Sequence, residues 1–63
     1  MGFSSDKLRQ LRTKKAMTQV DLAAIAGVSS KQITRWESGK PPGAKNLVKL
    51  ANALLVDVGY FFD

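Results

Sequence analysis

The stretch that decides the fold lies at residues 18–40 and reads TQVDLAAIAGVSSKQITRWESGK. It contains two short segments, and each follows a residue type that caps helices well, Thr18 in the first case and Ser29 in the second. Gly27 lies between them, at a position where the end of a helix often requires a positive φ angle. The spacing therefore predicts two helices of about two turns each, joined by a turn of about three residues, which is the helix-turn-helix pattern.

The rest of the chain predicts three further helices and no sheet. Ser4 or Ser5 can cap a first helix, and a Pro/Gly-rich loop at 39–43 precedes another helix at 44–54. The apolar positions of that helix have the spacing of a surface helix, namely Leu47, Leu50, Ala51 and Leu54. The apolar end of the chain, 56–62, predicts a short last helix. The expected fold is all-α, a compact five-helix bundle in which residues 1–63 form one domain and the motif spans about 19–38.

Composition restricts the possible functions of the chain. Its 63 residues include 10 Lys+Arg and 5 Asp+Glu, so the net charge is +5, which favours a polyanionic partner. Cys and His are both absent, which excludes disulfides, thiolate or His-ligated metal sites and a Ser-His triad. The five carboxylates are scattered, so we expect no catalytic site, cofactor or metal, and nothing suggests a small-molecule effector. No apolar run approaches the roughly 20 residues of a membrane span, and we expect a cytoplasmic protein with no membrane partner.

The second helix of the motif has two distinct faces. At about 100° per residue, Ile33 and Trp36 point to one side, as expected of core residues. The opposite side has hydroxyl and cationic side chains, namely Ser30, Lys31, Thr34 and Arg35. An α-helix fits the major groove of DNA, where Arg and Lys read guanine and Ser or Thr reads several base edges. Arg35 is the best candidate for a bidentate guanine contact.

These residues resemble a known family. The run from Thr18 to Ser29, followed by Ile33 and by Trp36-Glu37-Ser38-Gly39-Lys40, is similar to the Cro/CI-type (XRE) helix-turn-helix repressors, such as the DNA-binding domains of lambdoid phage repressors and Cro. The resemblance covers nearly the whole chain. It implies a lambda-repressor-like fold, and it implies a bacterial or phage regulator that binds operator DNA as a dimer.

The resemblance also implies roles for individual residues. The face of the second motif helix described above matches the base-reading positions. Gln19 matches a position that meets a phosphate and often braces the first residue of the reading helix, here Ser30. The positions that grip backbone phosphate are matched by Ser38, Lys40 and Lys45. Arg12 and Glu37 match a partly buried ion pair between the first and third helices.

Two positions depart from the family pattern. Leu55 stands where the family usually has a glycine that ends the fourth helix, and a left-handed leucine is strained, which favours a different end for this helix. Gly59 stands in the last helix, where its low helix propensity favours a short or poorly ordered element.

The sequence leaves several alternatives open. Val58 and Tyr60 are candidate dimer contacts, although the aromatic cluster around them can equally close the core. The cations Lys7, Arg9 and Lys14 of the first helix either face solvent or contact DNA. The predicted function is sequence-specific binding of double-stranded DNA at a palindromic operator by a repressor, and autoregulation is a further expectation. The alternative is an antitoxin-like or other protein-interaction module with the same fold. Whether the chain is a whole protein or part of a longer repressor stays open.

Overall fold

The computed structural model describes residues 2–63, which fold into helices joined by short loops. The elements are α1 (Ser5–Lys14), α2 (Gln19–Ala26), α3 (Ser30–Glu37), α4 (Ala44–Leu54) and a 3₁₀ helix (Val58–Phe61). Over this range the β structure is limited to one isolated antiparallel bridge between Phe3 and Phe62. The prediction of an all-α fold is confirmed. The prediction of five α-helices is wrong, because the last element is a four-residue 3₁₀ turn that includes Gly59, a poor helix former.

Side-chain caps explain where the first three helices begin. The Ser4 hydroxyl accepts a hydrogen bond from a backbone N–H in the first turn of α1. Thr18 and Asp21 form a reciprocal capping box at the start of α2, and Ser29 and Gln32 form another at the start of α3. The N–H of Thr18 donates to Oδ2 of Asp21 at 2.9 Å, and this hydrogen bond lowers the pKa of that carboxyl. The two helices of the motif are therefore bounded by local chemistry.

Two left-handed residues end α2 and α4. Gly27 has φ 74°, which glycine adopts without strain. Leu55 has φ 60° and ψ 44°, so the expectation that α4 ends differently from the family pattern is wrong. The N–H groups of Leu55 and Val56 both donate to the carbonyl of Ala51, and this closure requires the left-handed turn. The Leu55 side chain is 84% exposed, and the turn leaves it in solvent.

The core lies between all five elements and leaves one face of α3 uncovered. The large side chains with no exposed surface are Leu8, Leu22, Ile33, Leu50, Leu54 and Phe61. Ala23 and Ala26 are buried on the side of α2 that faces the core, where small side chains let neighbouring helices approach closely. The N–H of Ser4 donates to the carbonyl of Phe61 at 2.6 Å, which ties the start of α1 to the 3₁₀ helix. The core thus holds α3 in place through its buried side, opposite the uncovered face.

Candidate nucleic-acid interface

The outward side of α3 is a continuous polar surface, which we call the reading face. It consists of Ser30, Lys31, Thr34 and Arg35, all of which are exposed. Ile33 and Trp36, on the other side of the helix, are buried. The structure therefore brings the four candidate base-reading residues together on one helix side, with two positive charges and no carboxylate among them.

The loop after α3 folds back onto the last turn of the helix. The carbonyl of Arg35 accepts hydrogen bonds from the N–H groups of Ser38 at 3.1 Å and Lys40 at 3.2 Å. It also accepts a hydrogen bond from the Ser38 hydroxyl at 2.9 Å. The exposed Lys40 is consequently held beside the end of the reading face. The Ser38 hydroxyl donates its proton to this carbonyl. Ser38 can therefore contact a phosphate only through a bridging water, or after its hydroxyl rotates away from the carbonyl.

Lys45 lies in the first turn of α4 and is exposed. The N-cap of this helix is Gly43, which has no side chain to satisfy the first backbone N–H groups. The N-terminus of a helix is partly positive and its N–H groups bind anions. The lysine and the helix end therefore attract negative charge at the same place.

Gln19 lies half-buried at the first position of α2 and contacts α3 in a way that the family pattern does not imply. Its Nε2 donates to Oε1 of Glu37 at 3.1 Å, and its Oε1 accepts from the Thr34 hydroxyl at 2.8 Å. The expected brace to Ser30 is therefore replaced by one to Thr34, one turn farther along α3. The buried carboxylate of Glu37 explains the difference, because it holds the amide toward the C-terminal half of the helix.

Arg12 and Glu37 form an ion pair between α1 and α3. Nε of Arg12 donates to Oε2 of Glu37 at 2.5 Å and Nη2 donates to Oε1 at 3.0 Å, while Nη1 donates to the carbonyl of Met17 at 2.8 Å. The side chains are only 11% and 4% exposed. The hydrogen bonds that Arg12 donates to Glu37, together with the negative charge of that carboxylate, raise the pKa of Arg12, which keeps the guanidinium charged. This pair fixes the end of α3 against α1.

Two of the cations of α1 have partners within the protein. Lys7 donates to the carbonyl of Phe62 at 3.1 Å and lies 3.2 Å from the carboxylate of Asp63. Arg9 contacts Asp6 on its own helix at 2.6 Å. These contacts favour a structural role for both cations over contact with DNA.

The C-terminal surface includes the two candidate dimer contacts, which differ in exposure. Tyr60 is 42% exposed and packs edge-on against the buried Phe61. Val58, the other candidate dimer contact, is half-buried and packs against the core. Sequence reasoning missed Leu55, which is the most exposed large apolar residue recorded in the described part of the chain. The signal was available, because Leu55 lies outside the apolar stripe of α4.

These features define a class of protein. Two short helices are joined by a tight turn, and the second of them presents a cationic, hydrogen-bonding face while its other side is buried. This is the architecture of helix-turn-helix proteins, in which the second helix is the reading helix. Within residues 2–63, no helix has both the length and the apolar character that crossing a membrane requires.

The chain belongs to the HTH_3 helix-turn-helix family, whose pattern matches residues 8–61. Its fold is that of DNA-binding transcriptional regulators and not that of enzymes. An uncharacterized transcriptional regulator in the ATPase CF(0) region of Rhodospirillum rubrum is 40% identical over 58 residues, which are 90% of this chain. The match covers 54% of that curated relative, so this chain spans about half its length.

Solved structures show the same fold. The restriction-modification controller protein C.AhdI from Aeromonas hydrophila is 32% identical with a TM-score of 0.87, and the match covers 92% of this chain and 89% of that one. The P22 c2 repressor, solved in complex with a synthetic operator, is 31% identical with a TM-score of 0.86, over 97% of this chain and 94% of that one. The lambda-repressor-like fold expected from the sequence is confirmed.

Proposed function

We propose that the protein is a sequence-specific transcriptional repressor that places α3 in the major groove of a palindromic operator. The observation that carries the proposal is the reading face, in which every exposed side chain offers hydrogen bonds. The apolar side of the same helix is locked into the core by Ile33 and Trp36. A rigid helix with this pattern matches the width and chemistry of the major groove.

The reading face and its surroundings divide into base-reading and phosphate-binding residues. Arg35 donates to guanine O6 and N7, since its planar guanidinium makes bidentate contacts. Ser30, Lys31 and Thr34 meet the neighbouring base edges. The phosphates beside the groove are bound by Gln19, Ser38, Lys40 and Lys45. Gln19 fits this role because its Nε2 has two hydrogens and Glu37 takes one of them.

A twofold dimer on DNA follows from the size of the reading face. One helix covers only a few base pairs, whereas two helices about 34 Å apart read two half-sites separated by one turn of DNA. Tyr60 and the adjoining Val58 supply the self-association surface, and Leu55, which is also exposed, is a further candidate for it. This surface is small, so the free dimer is weak and DNA drives assembly by mass action.

The proposed setting is the cytoplasm of a bacterium or phage-infected cell. Residues 1–63 act there as one DNA-binding unit on the nucleoid. A site beside the protein's own gene, which would make the protein autoregulatory, is part of the proposal. The R. rubrum relative named as a transcriptional regulator and the operator complex of the P22 c2 repressor support a DNA-directed role.

Selection from a randomised duplex library tests the proposal. Binding sites retained by the protein should contain a two-fold symmetric motif with half-sites one helical turn apart. Affinity for the selected site should fall with salt at a log-log slope of about −3 to −6, because each neutralised phosphate contributes about −0.9. Recovery of no motif, or a slope near zero, would refute the proposed function and favour a protein-interaction module.

A further inference from the structure

A chain of hydrogen bonds joins the buried ion pair to the reading face. Arg12 donates to Glu37, the amide of Gln19 donates to the same carboxylate, and Thr34 lies 2.8 Å from the other side of that amide. This series of hydrogen bonds therefore starts in the protein interior and ends on a side chain that faces outward.

The chemistry of the first two groups fixes the direction of every later bond. A guanidinium can only donate, and a carboxylate can only accept. Gln19 must consequently turn its NH₂ toward Glu37, which leaves its carbonyl oxygen facing Thr34. An amide carbonyl can only accept, so the Thr34 hydroxyl is the donor in the last bond.

The second neighbour of the Thr34 hydroxyl imposes the same direction. The backbone carbonyl of Ser30, one turn back on α3, lies 3.1 Å from Oγ1. Both protein groups within reach of this hydroxyl are acceptors. A hydroxyl has one proton and two lone pairs, so its proton is held within the protein and only a lone pair remains for an outside partner.

We infer that Thr34 reads DNA as a hydrogen-bond acceptor only. The inference rests on the proposed function, in which α3 lies in the major groove. A free Ser or Thr hydroxyl can donate or accept and therefore tolerates several base edges. Thr34 in this arrangement accepts from the exocyclic amine of adenine or cytosine and cannot donate to guanine O6, purine N7 or thymine O4.

The neighbouring Arg35 has the opposite polarity. Its guanidinium offers only donors, and Thr34 offers only an acceptor. Arg35 thus selects acceptor atoms on the base edges, and the adjacent Thr34 selects an exocyclic amine. The buried pair of Arg12 and Glu37 contributes to specificity through this chain, although it contacts no DNA in the proposal.

Base analogues test the inference directly. The motif selected by the wild type is compared with that of Thr34→Val, which keeps the shape of the side chain and removes the oxygen. The base pair whose preference is lost in Thr34→Val is the one that Thr34 reads. Two modified duplexes are then made at this pair, one without the exocyclic amine and one in which purine N7 is replaced by C–H. Thr34→Ser, which keeps the hydroxyl, is the matched control, and thermal unfolding shows that the variants are folded.

Removal of the amine should weaken binding of the wild type and of Thr34→Ser by about three- to tenfold, the range of one hydrogen bond. It should leave Thr34→Val unaffected, and loss of N7 should not change the effect of the Thr34 substitution. Dependence on N7 in place of the amine would overturn the inference, as would a Thr34→Val motif identical to that of the wild type. Failure of the wild type to select any motif would overturn the proposed function and this inference with it.

Discussion

Substituting one partner of the ion pair between Arg12 and Glu37 should remove a large part of the stability of the domain. Glu37→Leu removes the acceptor of two guanidinium hydrogen bonds and leaves a charge whose side chain is only 11% exposed. Hydrogen bonds to charged groups contribute about 1.5–3 kcal/mol each, and loss of one partner of a buried pair costs about 3–5 kcal/mol. A chain of 63 residues has a total stability of about 3–9 kcal/mol. The single substitution therefore removes between about a third of the stability and all of it.

Arg12→Met should be similarly damaging, since it leaves the Glu37 carboxylate buried without its cation. The double variant Arg12→Met/Glu37→Leu removes both charges, so it should be more stable than the two single effects added together predict. We expect a coupling energy of about 2 kcal/mol or more, within the range found for residues of one ion-pair network.

Urea unfolding followed by the fluorescence of Trp36 measures these free energies, because Trp36 is the single tryptophan and is buried in the folded state. A fixed concentration of trimethylamine oxide keeps the weakest variants folded at zero urea. The matched control is the cycle for Arg9 and Asp6, an exposed pair on α1, which should show coupling of about 0.5 kcal/mol or less. Additive effects at Arg12 and Glu37, no larger than those of the control pair, would refute the reasoning.

Three further predictions concern other parts of the fold. The pKa of Asp21 is lower in the folded state, so its contribution to stability is present above its ordinary value of 3.8 and is lost as the pH falls through the folded value. Asp21→Asn should reduce the loss of stability between pH 5 and pH 2, as measured by urea unfolding, and an unchanged pH dependence would contradict this. Leu55→Gly should raise the free energy of unfolding by about 1 kcal/mol, because it relieves left-handed strain at an exposed side chain, and a loss of stability would show that the leucine makes a stabilising contact. Tyr60→Asp should abolish cooperative binding to a palindromic duplex in footprinting while half-site binding persists, and retained cooperativity would contradict the proposed dimer surface.

Most of the fold could be predicted because its signals are local. Thr18, Ser29 and Gly27 fix the bounds of the motif helices through capping and a left-handed turn, which depend on neighbours in the chain. The range of α4 was predicted correctly, but the left-handed conformation of Leu55 was not expected, because closure of two N–H groups on one carbonyl outweighed its intrinsic strain.

In the candidate site, too, only the features that depend on local sequence could be predicted. Helix periodicity predicts which residues share the reading face. The bonds of Gln19 to Glu37 and Thr34 depend on the distance between α2 and α3, which no local pattern gives. The direction of the hydrogen bond at Thr34 could therefore be inferred only once the helices were placed together.

Comparison of Arg35→Ala with Lys45→Ala tests the central claim most directly. Binding of each variant to the selected operator and to a scrambled duplex is measured at one salt concentration by fluorescence anisotropy. Arg35→Ala should weaken operator binding by about 5- to 150-fold and relax one base pair per half-site, with much less effect on the scrambled duplex. Lys45→Ala should weaken binding to both duplexes by the same factor. Equal losses on both duplexes for Arg35→Ala would contradict the claim that α3 reads base sequence in the major groove.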